Sequence, residues 1–239
     1  MRRFIAIFAS IVAFFPAKAN ECEWCQTLSL EPGGGIKPTE LSFAWSQGEA
    51  ETNKIDILFA FDLSAREWLV ENGLTEENFS DEILFEMNSG ISLTGLDEYF
   101  TFRLAGLYDI AADLSDLSML NICKYSSGVT HKKAYESYLA PMRDYRDEVA
   151  ADIVIVLTVP DSPAVKGISL EMDSWCFTET DMLYMANHAY GAVDISTALA
   201  RHTILHEVGH IFGAGHSDTQ KSSAGPQLFP YSAGYAFKT

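Results

Sequence analysis

A chain of 239 residues with 33 acidic against 16 basic side chains carries a formal charge of −17. Such a surface repels phosphate backbones and anionic lipid, which excludes nucleic acid as a partner. With 48% hydrophobic residues the chain can bury the core of one ordinary domain.

Residues 1–19 read as a signal peptide. Arg2 and Arg3 start it, the apolar run FIAIFASIVAFF is too short to span a bilayer comfortably, and Ala17 and Ala19 lead to a cut before Asn20. A secreted protein is expected, extracellular or periplasmic, with no membrane attachment after cleavage. Four cysteines, Cys22, Cys25, Cys123 and Cys176, are an even count. In an oxidising compartment they suggest two disulfides, with three pairings open. Residues 20–50, with Pro32, the run Gly33 to Gly35 and Pro38, form a breaker-rich N-terminal segment or linker, a candidate short propeptide. CEWC lies in this tail and not at a strand-to-helix junction, so redox chemistry is not expected of it, and Cys123 and Cys176 form no second CxxC that would complete a four-cysteine zinc site.

Residues 51–239 are expected to form the one folded domain. KIDILFAFD (Lys54 to Asp62) has the look of a buried strand, and Ser64 can cap a helix through AREWLVENG that Gly73 ends. TEENFSDEILFEMNSG repeats Phe79, Ile83 and Met87 at fourfold spacing, which predicts a second helix stopped by Gly90. EYFTFRLAGLYDI (Glu98 to Ile110) is strand-like, and the signal between Asp113 and Val129 is weak. KKAYESYLAPMRDYRDEVA is helical, with Pro141 expected to break or restart it. ADIVIVLTV (Ala151 to Val159) is apolar on both faces, as in a covered parallel sheet. KGISLEM (Lys166 to Met172) fits a short edge strand, and LYMANHAYGAV (Leu183 to Val193) a further strand. DISTALARHTILHEVGHIFG predicts one helix, capped by Asp194 or Ser196 and ended at Gly213. Strands alternating with helices imply an α/β fold with a largely parallel sheet.

The chemistry concentrates in HEVGHIFGAGH, from His206 to His216. Four residues apart on a helix, His206 and His210 point from one face and can converge on a single zinc ion. Glu207 projects about 100° around the axis, too far to be a ligand beside them, but within reach of a water as general base. His216 supplies a third ligand if the chain turns sharply at Gly213. Three histidines leave one coordination position for water, the mark of a catalytic zinc.

HExxHxxGxxH resembles the zinc signature of the metzincin superfamily of metallopeptidases. IDILFAFDLSAR, NSGISLTGLDEYFTFRLAGLYDI and MRDYRDEVAADIVIVLTV look like upstream passages of the reprolysin-like bacterial secreted enzymes, closest to the peptidyl-Asp metalloendopeptidase type. The resemblance covers about residues 54–237. It implies a five-stranded, mostly parallel twisted sheet with one antiparallel edge strand that aligns a peptide or protein substrate by strand addition; GISLEM is the candidate edge. It also implies a zinc-activated water with Glu207 as general base.

The sequence departs from that pattern after His216. Metzincins carry a methionine turn there, whereas the last methionine here is Met185. PYSAGY is similar to a passage that precedes the turn, so the chain is expected to be truncated ahead of it, with an incomplete C-terminal subdomain. Alternatively, Tyr231, Tyr235 or Phe237 packs beneath the site. His202 is expected to be a polar neighbour of the site, His188 a strand residue without chemistry, and Asp218 a candidate orienting group. Calcium suits the acidity, but no EF-hand-like spacing supports it. Two functions follow: a secreted zinc metalloendopeptidase, or a catalytically impaired homologue acting as a secreted binding protein.

Overall fold

The computed structural model describes residues 53–162, 165–170, 188–199, 202–212 and 214. The signal peptide, the 20–50 segment, His216, Asp218 and the C-terminal tyrosines lie outside the described residues.

Strand β1 (Asn53–Phe61) and strand β3 (Ile153–Thr158) are buried almost throughout. They run side by side and parallel at the centre of a five-stranded sheet. Apart from Asp56, which Arg103 pairs, this is the burial that an apolar run requires, since both faces must be covered. Strand β2 (Phe100–Asp109) pairs parallel on the outer side of β1. Strand β5 (Tyr190–Asp194) pairs parallel with β3, and strand β4 (Gly167–Ser169) closes the sheet antiparallel to β5. The order is β2-β1-β3-β5-β4. The α/β fold is therefore the one expected from the sequence, and GIS of the GISLEM stretch supplies the antiparallel edge.

Alternate residues divide between two apolar layers, as a strand periodicity of two demands. Ile57, Phe59, Ile155 and Val193 face one layer; Leu58, Ala60, Val156 and Ala192 face the other. Helix α1 (Leu63–Glu71) and helix α2 (Glu76–Thr94) serve the first layer. Helix α3 (Met119–Ser127) and helix α4 (Lys133–Glu148) serve the second. Helix α5 (Ile195–Ala198) and helix α6 (Thr203–Ile211), which carries the two histidines, return to the first.

Several local expectations need correction. The cap of α1 is Asp62, whose carboxylate accepts from Ala65 N at 2.8 Å, and not Ser64. Ser64 Oγ instead donates to Asp62 at 2.8 Å and accepts from Val159 N at 2.9 Å, tying the strand ends together. Helix α2 runs through Gly90 and ends at Gly95, which takes the left-handed φ of 72° that a helix stop favours. Pro141 lies inside α4 without interrupting it. Pro141 and Ser137 are both exposed, so water can satisfy the carbonyl that proline leaves without a donor. A helix capped by Ser118 and stopped at Gly128 occupies the stretch where the signal was weak. The single helix expected from Asp194 onward is two, α5 capped by Asp194 and α6 beginning after His202, whose φ of 51° breaks the helical path.

Cys123 is free and wholly buried, its thiol donating to Ile168 O at 3.3 Å. Two disulfides would need this residue, so that expectation is not met at Cys123; Cys22, Cys25 and Cys176 lie outside the described residues. Burial, reinforced by the nearby Glu207 carboxylate, pushes the Cys123 thiol far above its ordinary value and keeps it protonated. Among the described residues no helix is long and apolar enough to cross a membrane.

Candidate metal centre

Helix α6 is placed from three sides. Ile204, Val208 and Ile211 bury its apolar stripe against the sheet. Leu205 packs on Gly90 of α2, where a Cβ would stand only 2.7 Å from Leu205 Cδ2. At its start, His202 Nδ1 meets Glu86 Oε1 at 3.0 Å. His202 is thus a polar neighbour that anchors the helix to α2, as the sequence suggested.

So held, α6 brings His206 Nε2 and His210 Nε2 to 3.0 Å, with ring planes at 84°. The second nitrogen of His210 decides what this pair can do. His210 Nδ1 lies 2.6 Å from Ala214 O. A carbonyl only accepts, so Nδ1 carries the hydrogen, and Nε2, turned toward His206, is the nitrogen left for a metal. Two tetrahedral ligands with zinc–nitrogen bonds of about 2.0–2.1 Å stand about 3.3 Å apart, so the separation and the tautomer both fit a shared zinc ion. His206 is exposed, whereas His210 is 5% exposed.

Glu207 projects to a different side of the helix and is 4% exposed. Its side chain lies over the β4–β5 pair, against Gly167 and Gly191. Among the described residues no group of three or more His, Cys, Asp or Glu side chains gathers around a metal position. His216, the expected third ligand, and Gly213 lie outside the described residues. His188 stands just ahead of β5. Sequence reasoning missed the Ala214 carbonyl, Glu86 and the two glycines beneath Glu207. The two glycines carried a legible signal, since a glycine within a strand often marks a close approach.

A family model, Reprolysin_5 of metallo-peptidase family M12, matches residues 84–236, more than half of the chain. The chain belongs to metallo-peptidase family M12. The matched span takes in α2 from Leu84 onward, strands β2 to β5 and the histidine pair of this M12 chain. Two solved structures are similar at low identity. One is described as "Structure of a chaperone-substrate complex", with a TM-score of 0.48 and 15% identity over 71% of this chain and 25% of that one. The other is metalloproteinase-II from Bacteroides fragilis, with a TM-score of 0.42 and 14% identity over 74% of this chain and 48% of that one. The M12 chain thus spans about a quarter and about half of their lengths. No curated protein matches it.

Proposed function

We propose that this chain is a secreted, zinc-dependent metalloendopeptidase that hydrolyses internal peptide bonds. The observation that carries the reading is the converging Nε2 pair of His206 and His210, with the His210 tautomer fixed by Ala214 O. Membership of a metallopeptidase family supports the same chemistry.

His206 and His210 would hold the metal, with His216 as the third ligand that the sequence motif supplies. Zinc there would supply Lewis acidity toward the scissile carbonyl and toward water. Glu207 accepts a proton from the attacking water and hands it to the leaving amine nitrogen, so the protons balance across hydrolysis. The outer edge of β4, last in the sheet, takes the extended peptide by strand addition beside α6. The strongly acidic composition suits a protein exported to the extracellular space or periplasm.

The test is zinc content together with digestion of an unfolded protein such as casein, for the native chain and for Glu207→Gln. The native chain is expected to hold zinc and cleave. The variant is expected to keep zinc and lose cleavage by a factor of about 10²–10⁴. A variant that cleaves like the native chain would remove Glu207 from the mechanism. A native chain with neither zinc nor cleavage would favour a secreted binding protein instead.

A further inference from the structure

We infer that Gly167 on the edge strand is a positioning residue for the reaction: it forms the seat on which the Glu207 carboxylate is held. The inference rests on the reading of Glu207 as general base, but its geometry is independent of that reading. A Cβ added at Gly167 would stand 2.5 Å from Glu207 Oε1 and 2.9 Å from both its Cδ and Cγ. Three consecutive groups of one side chain fall inside that space. Rotating the terminal bond therefore cannot clear it, and the whole carboxylate arm would have to move.

The sheet register explains why the floor is bare. Ser169 pairs with Gly191 and Gly167 with Val193, so Gly167 and Gly191 share the face that α6 covers. Gly191 plays a different part. A Cβ there would meet Ile155 Cδ1 at 3.0 Å, but Glu207 Cβ only at an ordinary 3.8 Å. Gly191 therefore makes room in the core, whereas Gly167 makes room for the carboxylate.

The seat is also fixed in place. Lys166, one residue before it, pairs with the buried Asp194 at 2.8 Å and accepts from Asp194 N at 2.9 Å. On the far face, Cys123 Sγ donates to Ile168 O at 3.3 Å. A carboxylate pressed against an anchored strand loses rotamer freedom, which is how a reacting group is held in its working geometry.

The experiment is a double-mutant cycle on the full chain, read by urea unfolding and by kinetics. Gly167→Ala is expected to lower the urea midpoint of the native chain and to leave that of Glu207→Ala unchanged, since the colliding side chain is gone. Gly191→Ala is expected to lower both backgrounds equally. In turnover, Gly167→Ala is expected to lower kcat by about a hundredfold, with KM and zinc content retained. An equal midpoint shift in the two Glu207 backgrounds would overturn the inference, because it would mark a general effect on the strand. Native kcat in Gly167→Ala would overturn it as well. If Gly167→Ala fails to fold, folding of Gly167→Ala/Glu207→Ala supports the seat and failure of both overturns it. The urea cycle gives its answer even where Glu207→Gln remains active, so a failed base assignment and a failed seat are distinguishable.

Discussion

Gly90 of α2 and Leu205 of α6 meet so closely that the glycine has no room for a Cβ, which would stand 2.7 Å from Leu205 Cδ2. The contact sets how near the histidine-bearing helix lies to its neighbour. Gly90→Val is expected to destabilise the fold by roughly 1–3 kcal/mol, the usual cost of overpacking. Leu205→Ala in the same chain should recover part of that loss. Thermal unfolding of the three variants checks it, and a Gly90→Val chain that melts like the native one would rule out a tight contact.

Metal removal should register as stability. A ligand that binds only the folded chain stabilises it by mass action, about 2.7 kcal/mol at a hundred times its dissociation constant. The chelated protein is expected to melt at lower temperature and to recover with added zinc. His210→Ala should melt alike with and without zinc. A zinc-induced rise in that variant equal to the native one would argue against His210 as a ligand.

Asp62 gathers four donors at the C-terminal ends of β1 and β3: Ala65 N and Ser64 Oγ at 2.8 Å, Leu114 N at 2.9 Å and Thr158 Oγ1 at 2.7 Å. Burial still outweighs them and raises its pKa. Asp62→Asn replaces one accepting oxygen with a donor that faces donors. A loss of about 2–3 kcal/mol is expected in urea unfolding. A loss under half a kcal/mol would show that the node is dispensable.

Glu76, in the first turn of α2, titrates unusually high. Burial and then the adjacent Asp109 carboxylate push it up to about 7 from an ordinary 4.5, against the pull of Arg66. Arg66 itself pairs with Asp109 at 3.3 Å. A raised folded-state pKa means that the stabilising contribution is complete below about pH 4.5 and lost as pH rises through 7. Glu76→Gln mimics the protonated form. It is therefore expected to raise the urea midpoint more at pH 8 than at pH 5. Equal changes at the two pH values would show that Glu76 titrates normally.

The sheet was legible because its central strands are long apolar runs, and parallel pairing is what such runs require. The edge was legible from the shortness of GIS. Helix stops were harder, since a glycine's reason for being there is spatial. Gly90 and Gly95 look alike in sequence, yet one makes room for Leu205 and the other turns the chain. The histidine pair could be read from spacing, because one helical turn fixes their relation. The groups that tune His210 and seat Glu207, Ala214 O and Gly167, act through backbone position, of which the sequence shows at most a glycine in a strand.

Strand β4 precedes β5 in the chain yet lies outside it in the sheet. When β4 leaves the ribosome, the strand it must pair with has not been made. β5 then continues through Asp194 into the helices that end in His206 and His210. One late insertion, residues 190–211, thus completes the sheet edge and the histidine pair together. In a chain wired in this order the sheet edge and the histidine-bearing helix wait on the same late segment, and their long-range pairing is closed last among the described strands.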